Sequence, residues 1–232
     1  MSMTPPPPPP PPPSAPPPAV FTEDPYPARL HVDYPDSLNR VTTAFRIILV
    51  VPIMIVLSIV TNTSSTTVQT RDGTWVTSTG STILGALFAA TVLMLLFRKR
   101  YPKWWYDFGL ELTRFSTRVS AYMALLTDAY PSTVDTQAVH LDIDYPEDVE
   151  RDLSRGLPLV KWFLAIPHYI VLSFLTIGAF FVIIIAWFAI IFTGRYPKGM
   201  FNYVVGVGRW WVRVYAYAFM LVTDRYPPFS LD

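Results

Sequence analysis

The sequence predicts an all-α integral membrane protein: four transmembrane helices in two tandem pseudo-symmetric repeats, with interfacial amphipathic helices and short β-strands. Three observations carry that expectation. Of 232 residues, 51% are apolar and only 15% charged, far below the roughly one-quarter charged share of soluble domains, and the mean hydropathy is +0.33. Four apolar segments stand apart along the chain. Five sequence blocks recur in the same order, the signature of an internal duplication.

The chain opens with a Pro-rich tail (1–25), followed by a first membrane repeat (26–131) and a second (132–232). Twelve of the 24 prolines lie in the first 18 residues. Such a run lacks backbone donors and fixes φ, so it forms a polyproline II rod outside any core. It is expected to be a spacer, or to offer protein partners a ligand for an aromatic groove.

After the tail, apolar residues alternate in two short stretches. Ala28, Leu30, Val32 and Tyr34 share one side, as do Val139, Leu141, Ile143 and Tyr145, which predicts two half-buried strands. Related by a pseudo-two-fold, these strands are expected to pair antiparallel and to pack on helices, since a lone ribbon is weak in water.

The four apolar segments run over 41–60, 81–97, 158–175 and 177–192. About 20 helical residues cross the hydrocarbon. The last two segments are nearly continuous, so they predict a tight hairpin turning at 176–178, either spanning or re-entrant. Between the first two, Thr66 to Thr70 and Thr74 to Thr79 flank Arg71-Asp72-Gly73, which reads as a β-hairpin. Arg40, Arg46, Arg98, Lys99, Arg100 and Lys103 flank the first pair of segments, and Arg151, Arg155, Lys161, Arg195 and Lys198 the second. By the positive-inside rule this predicts a multi-pass protein of the cytoplasmic membrane with both termini inside.

Each repeat then continues into an amphipathic helix. Trp105, Phe108, Leu112, Phe115, Val119 and Tyr122 form one apolar stripe beside charged Asp107, Glu111, Arg114 and Arg118. Met200, Tyr203, Val207, Trp210, Val214 and Tyr217 form the other, beside Asn202, Arg209 and Arg213. Thr113 lies off both stripes of its helix. Such helices lie in the interface plane, with Trp104, Trp105, Phe115, Trp210 and Trp211 as expected interfacial anchors to the lipid bilayer.

The repeated blocks fix this alignment. Leu30-His31-Val32-Asp33-Tyr34-Pro35 answers to Leu141-Asp142-Ile143-Asp144-Tyr145-Pro146. Arg46 precedes Pro52 by six residues, as Lys161 precedes Pro167. Arg100-Tyr101-Pro102-Lys103 recurs as Arg195-Tyr196-Pro197-Lys198, and Arg118-Val119-Ser120-Ala121-Tyr122 as Arg213-Val214-Tyr215-Ala216-Tyr217. Thr127-Asp128-Ala129-Tyr130-Pro131 recurs as Thr223-Asp224-Arg225-Tyr226-Pro227.

Little in this pattern carries chemistry. The net charge of +1 and the absence of a basic face argue against nucleic acid. There is no cysteine, and three scattered histidines make no metal site, so neither metal nor cofactor is expected. No Ser-His-Asp order or phosphate-cradling glycine loop suggests an enzyme. Arg46 and Lys161, at the inner ends of their spans, are candidate lipid-head or anion contacts. His168, inside the third segment, is a candidate intramembrane polar site, and its counterpart in the first copy is Ile53. Asp128 and Asp224 read as local turn bonding before Tyr-Pro. The resulting expectation is a non-catalytic scaffold or accessory subunit of a cell-envelope membrane complex. The alternative is a small transporter or channel acting as a homo-oligomer.

The blocks are similar to the bacterial membrane family catalogued as "domain of unknown function 4389", common in actinobacteria, in two tandem copies. The second half carries the resemblance: Pro158-Leu159-Val160-Lys161-Trp162, Ala165-Ile166-Pro167-His168-Tyr169, Phe192-Thr193-Gly194-Arg195-Tyr196-Pro197 and Arg225-Tyr226-Pro227-Pro228-Phe229. It extends from about Tyr26 to Asp232 and implies a membrane protein without naming a catalytic residue.

Overall fold

The computed structural model describes residues 26–61, 65–69, 75–79, 83–133, 135, 137–147, 149, 153–154 and 156–232. The Pro-rich tail, the Arg71-Asp72-Gly73 turn, Arg151 and Arg155 lie outside them. The first copy contains β1 (Ala28–Val32), three short helices α1 (Arg40–Ala44), α2 (Arg46–Leu49) and α3 (Val51–Thr61), and the strands β2 (Ser65–Gln69) and β3 (Trp75–Thr79). It continues through α4 (Ile83–Leu93), a π turn over Met94–Arg98, and α5 (Lys103–Met123). The second copy contains β4 (Val139–Ile143), α6 (Leu157–Leu164), α7 (Ile166–Thr193), α8 (Lys198–Tyr215) and a π turn over Ala216–Met220.

The duplication is visible in the pairing. β1 and β4 form a two-stranded antiparallel sheet centred on Leu30↔Leu141 and His31↔His140, and β2 pairs antiparallel with β3. Alternation puts Ala28, Leu30, Val32, Val139, Leu141 and Ile143 on the buried face. That face rests on helices in exchange: β1 packs on α8 of the second copy, and β4 on α5 of the first. Polar contacts repeat the exchange. Tyr34 donates to the Tyr196 carbonyl and Tyr145 to the Tyr101 carbonyl, each at 2.5 Å. The outward carbonyls of the sheet are capped in the same way, Leu30 O by Arg209 Nε at 3.2 Å and Leu141 O by Arg114 Nε at 2.9 Å. These bonds occupy edge acceptors that otherwise recruit another strand.

The expectation of four transmembrane helices is overturned. Among the described residues one apolar helical stretch, Leu157–Thr193, is long and apolar enough to cross a bilayer, by length and composition. The stretches Arg46–Ser58 and Gly85–Arg98 are shorter, about 20 Å each at 1.5 Å per residue, against a hydrocarbon core of about 30 Å. Pro52 removes an intrahelical donor near the break between α2 and α3, and the first copy divides into short pieces there. The predicted third and fourth spans are one helix, bent only at Ala165, with no turn at 176–178. Those residues form a notch in place of a turn. Tyr203 donates to the Leu175 carbonyl at 3.0 Å, and its hydroxyl stands 2.7 Å from where a Cβ on Gly178 would be. Trp211 Nε1 donates to Thr176 Oγ1 at 3.0 Å. The glycine serves a close approach by α8. The placement of both termini on one side rested on four spans and falls with them.

The helix stripes also need correction. α5 and α8 are covered on two sides, so Thr113 is buried, donating to the Gly109 carbonyl at 2.7 Å, whereas Phe108 is half exposed. Arg213, assigned to a charged stripe, is buried and donates to the main-chain carbonyls of Ser230 and Asp232, holding the C-terminal segment against α8.

Candidate functional site

The two cations singled out from sequence turn inward and build matching clusters. Arg46 begins α2, at the break after α1. Its guanidinium pairs with the Asp128 carboxylate, donates to Tyr122 O at 3.0 Å and Thr127 O at 2.6 Å, and lies 4.3 Å over the Tyr122 ring. Lys161 sits one turn before the bend at Ala165. Its ammonium pairs with Asp224 at 2.7 Å, donates to Thr223 O at 2.7 Å, and lies 5.2 Å over the Tyr217 ring. The other oxygen of each carboxylate accepts a backbone N–H, of Asn39 and of Ser154 respectively, both at 2.7 Å. Cation, carboxylate, carbonyl, ring and backbone donor all fall at repeat-equivalent positions.

A strained turn sets each carboxylate in place. Leu125 and Leu221 adopt left-handed backbone conformations, φ +63° and +59°, which cost a branched side chain on the order of 1–3 kcal/mol. Both leucines are buried, so the core holds them there. The turn then directs the following Thr carbonyl and Asp at the cation. Local turn bonding falls to the threonines, whose hydroxyls accept from Ala129 N and Arg225 N at 3.1 Å. Asp128 and Asp224 are therefore the counter-ions that reading the sequence missed. Their signal was the recurrence of a carboxylate wherever a cation recurred. Joined in this way, each cluster is a clamp between the start of an apolar helix and the end of a surface helix.

His168 lies beside the second clamp and is fully buried. Trp210 Nε1 donates to its Nδ1 at 3.0 Å. An indole N–H only donates, so in the neutral ring the proton sits on Nε2, which has no partner among the described residues. Phe229 stacks on the imidazole at 4.0 Å and Tyr226 lies 4.7 Å away. The first copy has Ile53 in place of the histidine and Phe115 in place of the tryptophan, so this box occurs once. Among the described residues no group of three His, Cys, Asp or Glu could hold a metal ion.

The remaining anchors divide. Trp104 is exposed and Trp211 is exposed at its edge, while Trp210 is internal. Trp105, partly covered, donates to Thr91 Oγ1 at 2.9 Å, and Phe115 is partly covered. Buried tyrosines line the junction of the copies. Burial pushes the Tyr106 hydroxyl up to about 12, against the opposing pull of Arg114, and raises Tyr101 and Tyr196 as well. An apolar groove of about 470 Å³ opens between Ile47, Val50, Met123, Phe180, Ile184 and Trp187.

No curated protein and no solved structure matches the chain. A family model described as "Domain of unknown function (DUF4389)" matches residues 74–134 and 158–230. The first segment begins inside the β2–β3 insertion that interrupts the first copy. Covered over more than half its length in two tandem segments, the chain belongs to the DUF4389 family.

Proposed function

We propose that the protein is a non-catalytic scaffold seated in the cytoplasmic membrane, holding partner subunits of a cell-envelope complex. The carrying observation is the outer face of α7. Phe174, Ile177, Phe180, Phe181, Ile185, Phe188 and Phe192 are all exposed, and only 17% of the helix's most apolar window is covered by the rest of the chain. An uninterrupted apolar face of this length is not left to water. Lipid tails are the cover that asks for no further polar complement. The inner face of the same helix seats α8, so a membrane anchor and a soluble sheet are joined rigidly.

The non-catalytic reading draws on the two clamps. Their charged groups are spent on one another, so neither carboxylate is left free to act as a base. Transport would call for a wet path past His168, whereas its ring is packed between Phe229, Tyr226 and Trp210. The Pro-rich tail is the segment best suited to recruit a partner domain.

Washing membranes with alkaline carbonate tests the reading. The full chain is expected in the pellet, and Phe181→Asp with Ile185→Asp is expected to release it. Recovery of the unaltered protein in the supernatant overturns membrane seating. In reconstituted vesicles proton permeability is expected to match that of empty vesicles. A flux abolished by His168→Ala overturns the scaffold in favour of transport.

A further inference from the structure

Beyond the groove beneath α7, around the C-terminal end of that helix, stand three cations that have no acidic partner among the described residues. Gly194 closes α7 in the left-handed conformation, φ +74°, and the Arg40 guanidinium lies over it, 3.3 Å from where a Cβ would stand. The Leu38 N–H donates to the Gly194 carbonyl at 2.9 Å, which fixes the α1 approach against this end of α7. Arg195 follows at once, and Lys198 lies 5.3 Å over the Tyr34 ring. All three are exposed, and among the described residues none is in an ion pair. Phe188, at the near end of the groove, stands five residues before the end of α7 at Thr193, roughly 7–8 Å along the helix.

We infer that this groove and its basic end bind one anionic glycerophospholipid, with an acyl chain along Ile47, Phe180, Ile184 and Trp187 and its phosphate at Arg40, Arg195 and Lys198. The groove is about 470 Å³, and its lining is almost wholly apolar apart from Arg46. The Arg46 guanidinium is already committed to Asp128. Several groove residues, Ile47, Phe180, Ile184 and Phe188, also belong to the exposed apolar surface, so the groove is continuous with the face assigned to lipid. A neutral hydrocarbon chain would fill the groove without using the cations. A soluble anion would use the cations without the groove. A phospholipid of net negative charge uses both, and a cation near a membrane surface adds attraction to such a headgroup. This inference rests on the membrane reading above.

Trp187, half-buried in the groove wall, supplies the probe. The full chain is placed in mixed vesicles of phosphatidylcholine and phosphatidylglycerol in which only one of the two lipids carries brominated acyl chains. The Trp187 signal is the fluorescence of the unaltered protein minus that of Trp187→Phe. Brominated phosphatidylglycerol is expected to quench it several-fold more effectively than brominated phosphatidylcholine. Each of Arg195→Gln and Lys198→Gln is expected to bring that preference down towards unity, while both variants still float with the vesicles. Equal quenching by the two lipids, or a preference that survives the double variant, overturns the proposal and leaves membrane seating intact. Failure to float with any vesicle overturns membrane seating and the proposal together.

Discussion

Taking an ammonium out of water costs several kcal/mol unless a carboxylate accompanies it, and Lys161, fully covered, brings Asp224, which keeps 19% exposure of its side chain. That difference orders the substitutions. Asp224→Leu strands a buried cation and is expected to cost ~3–5 kcal/mol. Lys161→Met leaves a carboxylate with some access to water and is expected to cost less. The double variant, an apolar pair of similar volume, is expected to recover most of the loss. Denaturant melts in detergent check this cycle, and losses that simply add would refute the clamp. Tyr106 makes a separate prediction. A neutral phenol is favoured in the fold, donating to the Ile143 carbonyl, and its folded value of about 12 exceeds the usual ~10. Stability is therefore intact below pH ~10 and falls as pH climbs toward ~12. Tyr106→Phe, the residue type the second copy has as Phe201, is expected to lose ~1 kcal/mol at neutral pH and to flatten part of the alkaline decline in thermal midpoint.

Among the elements, what the sequence made legible divides by the range of the interactions involved. The strands followed from alternation at Leu30 and Leu141, and the hairpin from its Thr-rich flanks, because both patterns are local. The number of spans did not follow, because apolarity alone cannot distinguish a turn at Thr176 and Gly178 from a notch that receives Trp211 and Tyr203. The clamps were equally opaque. Arg46 and Asp128 lie 82 residues apart, and only the fold brings them together. The duplication leads to a further prediction about α3 and α4. The offset between copies is 115 residues at Pro52/Pro167 and 95 at Tyr101/Tyr196, so the first copy carries about twenty more residues, centred on β2 and β3. Deleting 62–81 joins α3 to α4 in the register of α7. The shortened chain is expected to fold with the midpoint shifted by only a few degrees, since closure entropy changes slowly with loop length. Loss of a cooperative melt would show that the hairpin holds the two helices in place.

At the scale of the whole molecule, the exchange of strands decides how the protein comes apart. Each copy supplies a strand whose apolar face is covered by the other copy's helix, β1 by α8 and β4 by α5. Ala28, Leu30 and Val32 of the first copy are buried on the strand that packs against α8 of the second. The two copies are therefore expected to unfold as one unit, the loosening of a helix in one releasing a strand in the other. Trp210→Ala tests this, because Trp210 lies on α8 and contacts His168 and no β1 residue is among its ring partners. Truncating a buried tryptophan costs ~3–5 kcal/mol. Amide exchange of 28–32 is expected to accelerate as much as that of α8 itself, although β1 lies some 180 residues away in sequence. The exposed substitution Trp104→Ala is expected to change neither. If β1 kept its protection while α8 lost it, the copies would be independent domains in contact, and the exchanged packing would carry no shared stability.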